Sequence, residues 1–187
     1  YERDPDTGAD AAWYARAVNI ASNEGVPTDA ERADLLEADL LGYGFTDVTA
    51  LYQGLGGSTA GIAAAVNGGS SLVNYLGHGS GTSWGTTRWN NSDIKTLSNG
   101  AAQPIIWDVA CVNGRFVNYT GFGETWLRHG TIEKPAGAVC YAGATTNMQW
   151  VPPIHVQMDF NINYIANEVY KTTGGIFVNG IIFGLEK

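Results

Sequence analysis

This sequence is short of positive charge, of cysteine and of long apolar runs, and each shortage removes a class of function. Ten lysines and arginines stand against eighteen aspartates and glutamates, a formal net charge of −8. Neither nucleic acid nor an anionic membrane surface suits such a chain, and a positively charged partner suits it better. No stretch approaches the ~18 consecutive apolar residues of a membrane-crossing helix. The two cysteines, Cys111 and Cys140, allow at most one disulfide. Among Cys111, Cys140, His78, His129 and His155, no two stand at the C-x-x-C or H-x-x-x-H spacing of a structural zinc site, so no metal is expected there. Internal repeats, low-complexity tracts and proline- or serine-rich linkers are absent as well.

What is present is a hydrophobic content of 44% spread along the chain, only 15% charged residues, 25 glycines and 6 tryptophans. That balance favours a secreted or surface-exposed bacterial protein. A length of 187 residues suits one domain with a substantial core. The sequence opens on Tyr1 rather than Met and carries no signal peptide, so it reads as a piece excised from a longer precursor, with residues 1–12 as a junction segment.

Short apolar runs alternate with helical patterns. A strand is expected at 17–21. Thr28 caps a helix whose first turn holds Asp29 and Glu31, whose apolar stripe is Leu36, Leu40 and Leu41, and which ends at Gly42-Tyr43-Gly44. A strand at 47–52, a helix at 58–66 and a strand at 71–76 follow. The second half adds a helix at 92–97, a buried strand at 105–110, a helix at 124–129, a strand at 138–142 and a long helix from 154 to 171. Strands separated by helices predict an α/β fold with a mostly parallel sheet covered on both faces, and ligands bind such sheets beyond the carboxyl ends of the strands.

Three of those strand ends carry residues that packing does not need. They are Asn23-Glu24-Gly25, Gly77-His78-Gly79 and Cys111-Val112-Asn113-Gly114. A thiol is mostly un-ionised near neutral pH, and an imidazole beside it takes its proton or stabilises the thiolate. Cys111 is therefore the candidate nucleophile, His78 its acid–base partner and Glu24 the carboxylate that orients the imidazole. The backbone N–H groups of Gly79 and Cys111 are the candidate oxyanion donors. A lone cysteine at a buried strand end is more often a small core side chain, and a loop glutamate is more often merely solvated. The three together constrain one another more than each does alone.

The run Asn74-Tyr75-Leu76-Gly77-His78-Gly79-Ser80, with Ala110-Cys111-Val112-Asn113-Gly114, resembles the gingipain family of caspase-like cysteine peptidases. The likeness extends to Thr82-Ser83-Trp84-Gly85, Asp108-Val109-Ala110, Thr125-Trp126-Leu127-Arg128 and the closing 174–180. It implies a caspase-like three-layer α/β/α sandwich, equivalent to the dyad-bearing subdomain of a gingipain, with a preceding subdomain as partner and peptide or protein as substrate. His78, Cys111 and Glu24 match the family's catalytic residues. Trp150 matches the tryptophan over the primary specificity pocket, Asp29 or, in reserve, Asp34 the aspartate at its base, and Gly77 and Val109 its walls. A guanidinium both pairs with a carboxylate and stacks on an indole, so the resemblance implies cleavage after arginine. Lysine-specific relatives carry an acidic residue where this chain reads Val151-Pro152-Pro153.

Departures from the family pattern carry further expectations. Leu76 replaces a threonine at the pocket entrance and narrows it. Arg115 replaces an aspartate and the loop after Glu24 is shorter, so calcium ligands that the resemblance implies are missing, and no cofactor is required. Cys140 is expected in the core, not in a disulfide with Cys111. The expected activity is that of an endopeptidase working through a thioester. The alternatives are a transferase that passes the thioester to an amine and a non-catalytic caspase-like binding domain.

Overall fold

The computed structural model describes residues 5–161, 165 and 167–185. Five strands, β1 (Arg16–Ala21), β2 (Asp47–Tyr52), β3 (Leu72–Leu76), β4 (Ile105–Val109) and β5 (Cys140–Gly143), form one sheet in the order β2-β1-β3-β4-β5. Every adjacent pair is parallel. All carboxyl ends therefore meet at one edge, and the ends of β1, β3 and β4 are neighbours.

The helices are α1 (Asp29–Tyr43), α2 (Thr59–Asn67), α3 (Asn91–Ile94), α4 (Phe122–Arg128), α5 (Val151–Asp159) and α6 (Thr173–Leu185). Two apolar clusters show how they divide. Val18, Ile20, Val73 and Ile106 pack with Ile62 and Val66 of α2, Ile94 of α3, and Phe122 and Trp126 of α4. Ala17, Ala21, Leu72 and Trp107 pack with Leu36 and Leu40 of α1, Ile154 of α5, and Ile176 and Phe177 of α6. Successive residues of a strand point to opposite faces, so each buried strand feeds both clusters. The result is a three-layer sandwich.

Local chemistry sets the helix ends. Thr28 Oγ1 accepts the Glu31 N–H at 3.2 Å, and Glu31 Oε2 accepts the Thr28 N–H at 2.7 Å, a reciprocal cap. The helix stops at Gly44, whose φ of 129° suits glycine. Within α1, Leu36 and Leu40 are fully buried, and each contributes about 1.5–3 kcal/mol. Leu41, expected in the same stripe, is exposed, because one further residue turns a side chain ~100° round the helix.

The long helix expected from 154 to 171 does not reach that far. Helix α5 ends at Asp159, Phe160 and Asn161 continue as a π-turn, and residues 168–172 are irregular before α6 begins at Thr173. Residues 162–164 and 166 lie outside the described residues. At the other end, Gly8–Ala15 forms a 3-10 helix whose Trp13 is buried and donates to Asp6 at 2.8 Å. That helix overlaps the expected junction segment, whose residues 1–4 lie outside the described residues.

A polar ladder crosses the centre of the sheet. Asn19 of β1 and Asn74 of β3 are direct register partners. Asn74 Nδ2 donates to Asn19 Oδ1 at 3.0 Å, Asn19 Nδ2 to the Ala33 carbonyl at 3.0 Å, and Gln157 Nε2 to Asn74 Oδ1 at 3.2 Å. Buried amides of this kind are tolerated because they bond one another.

Candidate active site

Loops at the carboxyl edge of the sheet enclose a cavity of about 240 Å³ lined by Asp29, Gly77, His78, Val109, Cys111 and Trp150, with Met148 beside the thiol. β3 ends at Leu76 and delivers His78, β4 ends at Val109 and delivers Cys111, and the segment after β5 delivers Met148 and Trp150.

His78 Nε2 lies 3.3 Å from Glu24 Oε2, and both side chains are about half exposed at 56% and 51%. The His78 carbonyl accepts from Tyr75 Oη at 2.8 Å and from the Gly85 N–H at 2.8 Å. Those two bonds fix the loop while the ring stays accessible. The imidazole and the Trp150 indole make a T-shaped contact, with ring centroids 4.7 Å apart.

Cys111 Sγ accepts the Met148 N–H at 3.5 Å and lies 3.7 Å from the Met148 carbonyl oxygen. Among the described residues no hydrogen bond joins the thiol to His78. Such contacts are often long before substrate arrives. Val112, the next residue, has a φ of 54°, a costly conformation for a β-branched side chain. Bonds from Val112 N–H to Thr146 O and from Arg115 N–H to Val112 O, both 3.0 Å, hold this turn.

Gly79 packs directly on the cysteine turn. A Cβ there would overlap the Cys111 carbonyl oxygen and come within 2.8 Å of the Asn113 side chain. Among the described residues, the Gly79 and Cys111 backbone N–H groups have no acceptor.

Asp29, the first residue of α1, is fully buried. Its Oδ2 accepts from Ser22 Oγ at 2.6 Å and its Oδ1 from the Trp150 indole N–H at 3.1 Å. Burial pushes its carboxyl above the ordinary value, against the lowering effect of the Ser22 and Trp150 bonds. Asp34, the reserve candidate, lies away from the cavity, exposed on α1 and bonded by Tyr52 Oη at 2.9 Å. Leu76 does not narrow the entrance: it is fully buried in the core beneath. Cys140 is free, and it begins the edge strand half-buried instead of sitting in the core.

Arg115 directs its Nε at the Thr145 carbonyl at 3.3 Å. Among the described residues no three His, Cys, Asp or Glu side chains gather as a metal site.

One buried group escaped the motif reading. Asp108, three residues before Cys111, accepts from Trp84 Nε1 and Asn113 Nδ2, each at 3.0 Å, and from the Tyr141 hydroxyl. Desolvation raises its carboxyl to about 6. The signal was an acidic residue inside the apolar run Ile105-Ile106-Trp107-Asp108-Val109.

A parallel sheet in this order, sandwiched between helices and carrying histidine and cysteine loops at one edge, is a caspase-like α/β/α fold. The crystal structure of the Arg-specific cysteine proteinase gingipain R shares it with a TM-score of 0.89 and 35% identity, over 94% of this chain and 43% of that one. The model of peptidase family C25 matches residues 1–183, and the chain belongs to that family. It is 36% identical to gingipain R2 of Porphyromonas gingivalis, over 100% of this chain and 26% of that protein. Over 58% of its length it is 32% identical to Lys-gingipain W83 of the same organism, where it covers 6% of the relative. The chain thus spans about a quarter of gingipain R2.

Proposed function

We propose that this chain is the nucleophile-bearing part of a secreted cysteine endopeptidase that cleaves after arginine. The observation that carries the reading is the single cavity shared by His78, Cys111, Asp29 and Trp150. The overlap with gingipain R along the whole chain supports it.

In the first step His78 takes the Cys111 proton and the sulfur attacks the scissile carbonyl carbon. The Gly79 and Cys111 N–H groups, unpaired among the described residues, receive the oxyanion that forms. Collapse breaks the C–N bond, and the imidazolium gives its proton to the departing amine. Water, deprotonated by His78, then cleaves the thioester, releasing the carboxylic acid and restoring the thiol. Glu24 holds the ring through Nε2, leaving Nδ1 for the thiol.

Specificity follows from the pocket. A buried carboxylate under an indole suits a guanidinium, which pairs through two N–H groups and stacks by its face. The arginine N–H groups replace the Trp150 N–H at Asp29. A preceding subdomain of a longer precursor is the expected partner, in keeping with the chain's partial coverage of its relatives.

The test is covalent labelling. Mass spectrometry after incubation with an arginyl chloromethyl ketone should show one adduct, on Cys111, lost in His78→Ala. Folded protein that takes up no label would refute the reading.

A further inference from the structure

One carboxylate oxygen ties together the loops that carry His78 and Cys111. Asp108 lies on β4 at 3% exposure. Its Oδ2 accepts from three neutral donors, each from a different part of the chain: Trp84 Nε1 from the loop after β3, Asn113 Nδ2 from the loop after β4, and the Tyr141 hydroxyl from β5. Among the described residues its Oδ1 is buried without a partner. An apolar side chain would fill the interior of a parallel strand at less cost, so packing alone does not account for a charge here.

The connection continues beyond the carboxylate. Asn113 is fully buried, and its Oδ1 accepts the Gly81 N–H at 2.9 Å, in the histidine loop. The Gly81 carbonyl in turn accepts from the Phe122 N–H at 2.8 Å. Trp84 closes a backbone bridge with Gly79 and stacks on Tyr75 at 4.7 Å, the residue whose hydroxyl holds the His78 carbonyl. Asn113 therefore spans the two loops, and Trp84 braces the histidine loop from its far end.

We propose that Asp108, acting through Asn113 and Trp84, is a positioning residue that fixes the His78 loop against the Cys111 turn. It sets the separation of thiol and imidazole and the direction of the Gly79 N–H, and it touches no substrate. The inference rests on the reading of His78 and Cys111 as the reacting pair.

Two substitutions test it. Asn113→Ala removes the bridge to Gly81 and leaves Asp108 two donors. Asp108→Asn keeps an acceptor of the same shape without the charge. For Asn113→Ala, kcat on an arginyl peptide should fall ~100-fold, the scale of a misplacement near 1 Å. KM should stay within about twofold, since Asp29 and Trp150 are untouched. The rate of alkylation of Cys111 by iodoacetamide at neutral pH should fall with kcat. Asp108→Asn should retain most of kcat. A folded Asn113→Ala protein with unchanged kcat and alkylation rate would overturn the inference alone. So would a loss of activity matched by the unfolded fraction in a thermal melt. An unsubstituted protein whose Cys111 neither takes up an arginyl chloromethyl ketone nor supports peptide cleavage would overturn the underlying reading as well.

Discussion

The Trp150 indole N–H points at Asp29 Oδ1 from 3.1 Å, so the ring that overhangs the pocket is bonded to the carboxylate beneath it. Ser22 occupies the other oxygen. On the proposed arginine preference, a guanidinium entering this pocket would displace an indole bond and gain a charge-assisted one, while a neutral side chain would gain nothing for the same displacement.

Asp29→Asn should therefore lower kcat/KM for arginyl peptides by roughly 10- to 150-fold, the equivalent of ~1.5–3 kcal/mol for a hydrogen bond to a charged group. Peptides with a neutral residue at the cleaved position should change little. Kinetics on a matched pair of peptides measures the difference, and equal losses on both would remove Asp29 from the specificity pocket.

The same carboxyl predicts opposite pH trends for binding and for stability. Burial raises its pKa above the ordinary value. As pH falls through that raised value the group takes up a proton and loses its hold on a guanidinium, so KM for arginyl peptides rises on the acid side. The folded state binds this proton more tightly than the unfolded state does. Its contribution to stability is thus present at low pH and lost as pH rises through the folded value. Asp29→Asn should abolish this acid limb in KM while keeping or raising the melting temperature at neutral pH.

Gly79→Ala should be among the most damaging single-methyl changes in the chain, because its Cβ would overlap the Cys111 carbonyl. Relieving that overlap moves one loop against the other at a cost of about 1–3 kcal/mol. Activity should fall further than the melting temperature accounts for. Thermal melts beside active-site titration with a chloromethyl ketone would show it, and an active Gly79→Ala protein would argue against the tight approach.

Glu24→Gln should be mild. The pair with His78 is half exposed, and salt and water screen it. A fall of no more than ~5-fold in kcat is expected, within the ~1 kcal/mol of an exposed pair. It should shrink as ionic strength rises, and a collapse to the level of His78→Ala would give Glu24 a larger part.

Much of the fold was legible because it is encoded locally. The Thr28 cap, the apolar runs of the five strands and the Gly44 stop each depend on a few neighbouring residues. The helix expected at 154–171 failed because its apolar spacing continues past a point where the chain turns to irregular structure and α6 takes over the packing on Trp107. Leu41 was misjudged because the stripe on α1 is narrower than the run of leucines. The cavity-lining residues came from strand ends, where parallel topology itself gathers them. Asp108 is different: its partners Trp84, Asn113 and Tyr141 belong to three separate segments, and a linear pattern does not reveal which of them a buried carboxylate will meet.

The amide pair Asn19–Asn74 gives the candidate site its ruler. Had β1 slipped one residue along β3, that bond would break inside the core. The same slip would carry Glu24 about 3.3 Å along the strand relative to His78, the rise of one β residue. That displacement equals the whole distance now separating their side chains. Two asparagines at mid-sheet thus calibrate, from several residues away, whether a carboxylate and an imidazole at the rim can reach each other.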